Sequence, residues 1–152
     1  FVMAHEMGHY VKHHLIKSIL GEIIGLFFGL YLASRLLRWA YGHWGRHLGM
    51  RSISDLSTIP LLLLIFSVLS FAVSPLENAV SRHAEHAADA YGLKMTHDPK
   101  AAIGFFHKAA PISLSEINPP VLVKFFEYGH PTDLERIAYF MHYEKTHGEV
   151  KK

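Results

Sequence analysis

The chain contains no cysteine among its 152 residues. That excludes a disulfide framework, a thiolate metal site and a cysteine nucleophile, so any metal chemistry must use histidine and carboxylates. Charge is scarce too: 18% of the residues are Asp, Glu, Lys or Arg, against 50% that are hydrophobic. This balance is apolar for a soluble domain and points toward membrane contact, as does the mean hydropathy of +0.16. A net charge of only +2, with no long Lys/Arg run, sets nucleic acid aside as a partner. Strand signals are weak and no internal repeat is found, so the fold class is mainly α. An initiator Met is missing. Because Phe1 opens the chain and a motif begins at residue 5, upstream residues, including any N-terminal membrane segments, are expected to be absent. The length fits one domain over residues 1–152.

Histidine is abundant, with 13 residues. The stretch "FVMAHEMGHYVKHH" reads as a helix from Phe1 to His14 with Gly8 inside it. Residues i and i+4 of a helix lie one above the other, so His5 and His9 can aim a ring nitrogen at one point ~2.0–2.1 Å from each, with Glu6 beside them. Two imidazoles for a metal and a non-ligating carboxylate for proton transfer are what a zinc peptidase needs. In this composition His-Glu-x-x-His arises by chance about 0.06 times, so a third ligand has to support it. His13 lies ~12 Å along the helix from His5 and is excluded. A metzincin pattern fails because Lys12 and Leu15 stand where Gly and His are required. Among carboxylates, Glu22 falls in an apolar span, and Glu116, Glu127 and Glu135 lie in loops or the last helix. Glu85 is better placed: Asn78, Arg82, Glu85 and Asp89 recur along one helical face, with Ala84 and Ala88 leaving room beside it. Asp89 could take the other N–H of a ligand imidazole. By itself, this helix fits a solvated polar face better.

Two apolar segments, 15–34 and 56–76, separate these motifs. The first carries a glycine row, Gly21, Gly25 and Gly29, suited to close helix packing in lipid. The second, "LSTIPLLLLIFSVLSFAVSPL", is uncharged and meets the ~20 residues needed to cross a bilayer, with Pro60 tolerated in its first turn. Between them the basic, aromatic stretch from Arg35 to Arg51 suits an interfacial connecting loop. A pair of buried helices in a soluble protein is the alternative. The spacing then predicts a helix over "ENAVSRHAEHAADAYGL" that stops near Gly92, a mix of short helices and Pro-bounded loops, and a last helix opened by the capping box Thr132-x-x-Glu135 and running to about His142. The tail "EKTHGEVKK" reads as frayed.

In the order "VMAHEMGHY", two apolar spans, "NAVSRHAEHAADAYGL" and "HPTDLERI", most of the chain resembles the membrane-embedded gluzincins that include the type I CAAX prenyl proteases and the HtpX heat-shock proteases. The specific element is Asn-x-x-x-Ser-Arg-x-x-Glu-x-x-x-Asp. The resemblance implies one zinc ion per chain held by His5, His9 and Glu85, with Glu6 as general base. It also implies Asn78 near the substrate backbone, Arg82 and Asp89 as supports, and a site at His130. His130, held by Pro131, is the candidate oxyanion donor, with a turn-capping loop histidine as the alternative; Arg82 is expected to ion-pair with Glu85 or Asp89. Implied partners are a peptide or protein substrate, membrane-associated or prenylated, and the lipid bilayer. The prenyl-protease branch is the closer likeness, through "SRHAEHAADAYGL" and "YGHP". An integral protein of a bacterial inner membrane or endoplasmic reticulum follows, with the zinc side cytoplasmic, although the four arginines between the spans would by charge prefer that side themselves.

A different class is a non-enzymatic histidine-rich membrane protein that binds or transports metal. Such a carrier needs neither Glu6 between its ligands nor the Asn78–Asp89 face. His13 and His14 at the end of the first helix, His43 and His47 in the loop, and His83 and His86 off the ligand face receive no role. The isolated chain is expected to need detergent or lipid and to fall short of a complete enzyme.

Overall fold

The computed structural model describes residues 1–113, 116 and 118–148. Among them are six α-helices, α1 (Val2–Val11), α2 (His14–Trp44), α3 (Ile59–Thr96), α4 (Pro99–Ser113), α5 (Val121–Glu127) and α6 (Asp133–Gly148), and no strand. The mainly α expectation holds. The chain divides into two compact units, Ile16–Ser74 and Phe1–Leu15 with Pro75–Lys152.

In the unit Ile16–Ser74, α2 is longer than the apolar run that begins it. The stretch from Arg35 to Trp44, expected as loop, is helical, because nothing before Gly45 stops it. At Gly45 a Cβ would meet the Tyr41 carbonyl oxygen at 2.5 Å, so a larger residue could not make the turn that ends the helix. Asp55 then accepts a hydrogen bond from the Ser57 amide at 3.3 Å and caps a 3-10 turn, Leu56–Thr58, leading into α3. Ala33, Ala40, Met50 and Ile65 are buried, whereas Phe27, Phe28, Leu63, Leu64, Val68 and Phe71 are exposed. Outward apolar surface of this extent suits contact with a further apolar surface. Both His14–Trp44 and Leu56–Thr96 are long and apolar enough to cross a bilayer. Among the described residues no side chain or helix lies on the glycine row: a Cβ on Gly21, Gly25 or Gly29 would have nothing within 4 Å.

The helix expected to open near Glu77 is the continuation of α3, which runs through Pro75. Proline has no N–H for the carbonyl four residues back; the Ser74 hydroxyl donates to that Phe71 carbonyl at 3.0 Å. Nor does Gly92 end the helix. The stop comes after Thr96, where His97 turns left-handed at φ 52° and its amide returns to the Leu93 carbonyl at 2.9 Å. Asp98 then caps α4, accepting from the Ala101 amide at 2.9 Å, with Pro99 as first helical residue.

In the unit formed by Phe1–Leu15 and Pro75–Lys152, α4 packs on α6. Leu93, Ala102, Phe106 and Phe140 form its buried core, flanked by Phe1, Ile103, Ile137, Tyr139 and Tyr143. The capping box of α6 is formed as expected: Thr132 N–H donates to Glu135 Oε2 at 3.0 Å, and Glu135 N–H to Thr132 Oγ1 at 3.3 Å. Acidic Asp133 and Glu135 at the start, and basic Lys145 and His147 at the end, complement its dipole. This helix runs past His142 to Gly148, so part of the tail expected to fray is helical; residues 149–152 lie outside those described, as do residues 114, 115 and 117 of the Pro-bounded stretch.

Candidate metal centre

Two glycines let α1 lie against α3. A Cβ on Gly8 would come within 3.1 Å of Ala88 Cα and Tyr91 Cβ, and a Cβ on Gly92 would meet the Phe1 ring at 2.9 Å. This close approach sets the His5–His9 face of α1 over the Glu85–Asp89 face of α3. His5 Nε2 and His9 Nε2 are 3.1 Å apart, His5 Nε2 is 3.4 Å from Glu85 Oε2, and His9 Nε2 is 3.5 Å from Glu85 Oε1. Two atoms each ~2.0–2.1 Å from one tetrahedral centre are separated by about 3.3 Å. The three groups therefore already stand near the edges of such a tetrahedron, and their ligand atoms all lie within 4.8 Å of one another. His5 and Glu85 are buried, His9 half-buried.

Beneath His5, His9 and Glu85 is a polar network. His5 Nδ1 lies 2.8 Å from Asp89 Oδ1, which fixes the Nδ1–H tautomer and leaves Nε2 as the donor atom toward a metal. Asp89, 2% exposed, is held in turn by Arg136, whose Nε donates to Oδ2 at 2.8 Å and whose Nη2 donates to Oδ1. The same guanidinium reaches Glu85 Oε2 at 3.4 Å and stacks on the Phe106 ring at 4.3 Å. Burial alone would push the His5 imidazole down; hydrogen bonds to Asp89 and Glu85 overturn this and raise its pKa from 6.5 to about 9. For Glu85, burial works upward, but its bond to His5 and the positive charge of His130 and Arg136 hold the carboxyl below its ordinary range. A proton on His5 thus offsets the negative charge of Asp89 and Glu85 in the metal-free protein. The donor set fits a zinc-type ion.

Arg136 is the residue that sequence reasoning missed. It is the sole arginine after residue 82 and follows the α6 N-cap by one turn, which is the signal that could have marked it. The expected ion pair of Arg82 with Glu85 or Asp89 is corrected: Arg82 Nη1 donates instead to the carbonyls of Tyr128 at 2.5 Å and Lys124 at 3.4 Å. Asn78 Nδ2 donates to the Phe126 carbonyl at 2.7 Å. The upper half of the polar face thus clamps α5 and the residues after it, while the lower half, Glu85 and Asp89, serves the histidines. That clamp leads directly to His130, whose exposed ring sets Nε2 3.3 Å from Glu85 Oε1. Glu6 is exposed beside these groups. It lines, together with His5, His9, Glu85, His130 and Arg136, an open cleft of about 370 Å³. Of the histidines given no role, His86 packs its ring on Tyr139 at 4.3 Å. His14, by contrast, is not in a last turn of α1: its Nδ1 faces His9 Nδ1 at 3.1 Å.

Comparison with known proteins identifies the family to which these residues belong. A curated protein of Bacillus subtilis (strain 168), described as uncharacterized metalloprotease YhfN, is 44% identical over 146 residues, covering 91% of this chain and 33% of that protein. The chain thus spans about a third of that relative's length. The model of peptidase family M48 matches residues 1–144, which include every residue of the His5, His9, Glu85, Asp89 and Arg136 cluster. On that match, extending over nearly its whole length, the chain belongs to peptidase family M48.

Proposed function

We propose that this chain carries the catalytic centre of a zinc endopeptidase of the membrane, with His5, His9 and Glu85 holding one zinc ion. The observation that carries the reading is the convergence of the two Nε2 atoms and the Glu85 carboxylate at 3.1–3.5 Å while Asp89 ties the far side of His5. Bound there, zinc supplies Lewis acidity that polarises a peptide carbonyl and brings the pKa of a water toward ~7. The remaining chemistry belongs to side chains. Glu6, exposed on the cleft, takes the proton of the attacking water and returns it to the leaving amine. His130, reaching into the cleft from the clamped segment after α5, donates a hydrogen bond to the oxyanion that develops on the carbonyl. Asp89 and Arg136 keep His5 in place through both steps.

The two long apolar helices support a bilayer location. The likeness of "SRHAEHAADAYGL" and "YGHP" to prenyl proteases extends the proposal to substrates anchored at that bilayer, prenylated peptides among them. Comparing cleavage of one peptide with and without a prenyl group tests this extension. The test of the core reading is Glu6→Gln in the full-length protein: zinc content should stay at one per chain while peptide hydrolysis falls by at least ~10²-fold. Hydrolysis near the parent rate would remove Glu6 from the mechanism, and several weak zinc sites per chain would favour a metal carrier.

A further inference from the structure

We infer that His14 is the positioning residue for the second ligand imidazole: it accepts the Nδ1–H of His9 and so holds His9 in the tautomer and ring orientation that present Nε2 to the metal. This rests on the zinc-centre reading above and adds a residue to it. The two ligand histidines have unlike supports. His5 has the carboxylate of Asp89 at 2.8 Å on its Nδ1, whereas the group on His9 Nδ1 is the Nδ1 of His14 at 3.1 Å, with the rings 5.0 Å apart and 80° to one another. When His9 offers the Nε2 lone pair to a cation, its neutral ring carries the proton on Nδ1. The facing Nδ1 of His14 must then be the acceptor, and His14 carries its own proton on Nε2.

The backbone is arranged to make this contact. On an unbroken helix a residue five positions on points about 140° around the axis from His9 and could not turn back to it. The chain instead leaves α1 after Val11 with the Lys12 amide on the Gly8 carbonyl and the His13 amide on that of Tyr10, both at 3.0 Å. His13 then takes φ 55°, a left-handed conformation that residues with a Cβ seldom adopt, and α2 starts at His14. That single left-handed residue brings the His14 ring back against His9.

The experiment uses the full-length protein in detergent, stripped of metal, and measures zinc affinity by competition with a chromophoric chelator for the parent, His14→Phe, His14→Ala and His14→Asn. Phenylalanine keeps the ring without an acceptor, alanine removes both, and asparagine restores an acceptor oxygen. The expected result is about 10–100-fold weaker zinc binding in the Phe and Ala variants, and recovery to within a fewfold of the parent in the Asn variant. Thermal unfolding of the metal-free proteins reads whether each variant is folded, and Ala replaces Phe in the comparison should Phe not fold. Parent-like affinity in the folded Phe or Ala variant overturns the inference, as does an Asn variant as weak as Ala, which would mean that His14 only packs. A parent that binds no zinc overturns the zinc-centre reading and this inference together; a parent that binds it normally, with no effect at position 14, overturns this inference alone.

Discussion

Asp89→Asn tests the network that holds the ligand histidines, and its magnitude follows from the hydrogen bonds. The buried carboxylate accepts three: one from His5 Nδ1 and two from Arg136. Asparagine keeps one acceptor oxygen and turns an NH2 group toward the remaining donors, so at least one charge-assisted bond becomes a donor-to-donor clash. Arg136, with a side chain only 11% exposed, is left with Glu85 at 3.4 Å as its carboxylate partner. Charge-assisted bonds contribute ~1.5–3 kcal/mol each, and breaking a buried pair from one side costs about 3–5 kcal/mol. The residual contact to Glu85 places the loss near the lower end, about 3 kcal/mol, a large share of a typical ~5–15 kcal/mol total. Denaturant unfolding of the metal-free protein in detergent measures this loss. Zinc affinity should fall about 10–100-fold in parallel, because the acceptor that sets the His5 tautomer loses its charge and its firm hold on Arg136. A variant within ~1 kcal/mol of the parent that binds zinc within about threefold of it would refute the claim that Asp89 and Arg136 orient His5.

Three further outcomes are expected. Glu85→Ala should reduce bound zinc sharply while Glu77→Ala, exposed and one residue before the polar face, should not; equal metal content in both variants would sink the ligand assignment. Gly8→Val should lose metal and about 1–3 kcal/mol of stability, because its side chain would force α1 off Ala88 and Tyr91. Gly21→Val, with nothing within 4 Å of its Cβ, should change zinc content little, and similar losses in the two would contradict the packing account. The His5 pKa, raised from 6.5 to about 9 in the metal-free protein, means that the folded state binds the proton more tightly than the unfolded chain. Its contribution to stability is complete below pH 6.5 and is lost as pH rises through about 9. Metal-free protein should therefore be less stable at pH 9.5 than at pH 6.5, and zinc uptake near pH 7.5 should release a proton, detectable in weakly buffered solution; a flat stability profile with no proton release would place the proton elsewhere.

Much of the centre was legible in the residues themselves. The four-residue step from His5 to His9, and the same step from Glu85 to Asp89, are properties of any helix that carries them, and so is the capping box at Thr132 and Glu135; local hydrogen bonding alone enforces these alignments. The two apolar runs likewise declared themselves through length and lack of charge. Element ends were less legible, since Gly92 resembles a stop signal in sequence but is a point of contact with Phe1 and His5. Three partnerships could not be read from the sequence. Arg136 meets Asp89 across 47 residues of chain, Arg82 leaves its own helical face for the carbonyls of Lys124 in α5 and Tyr128 just after it, and His14 returns to His9 through one left-handed residue that carries a Cβ. Periodicity is decided within a turn or two of helix, so a sequence displays which residues share a face. Which faces meet depends on how closely two backbones can approach and on the packing of whole helices, and those are settled only when α1, α3 and α6 come together around the site.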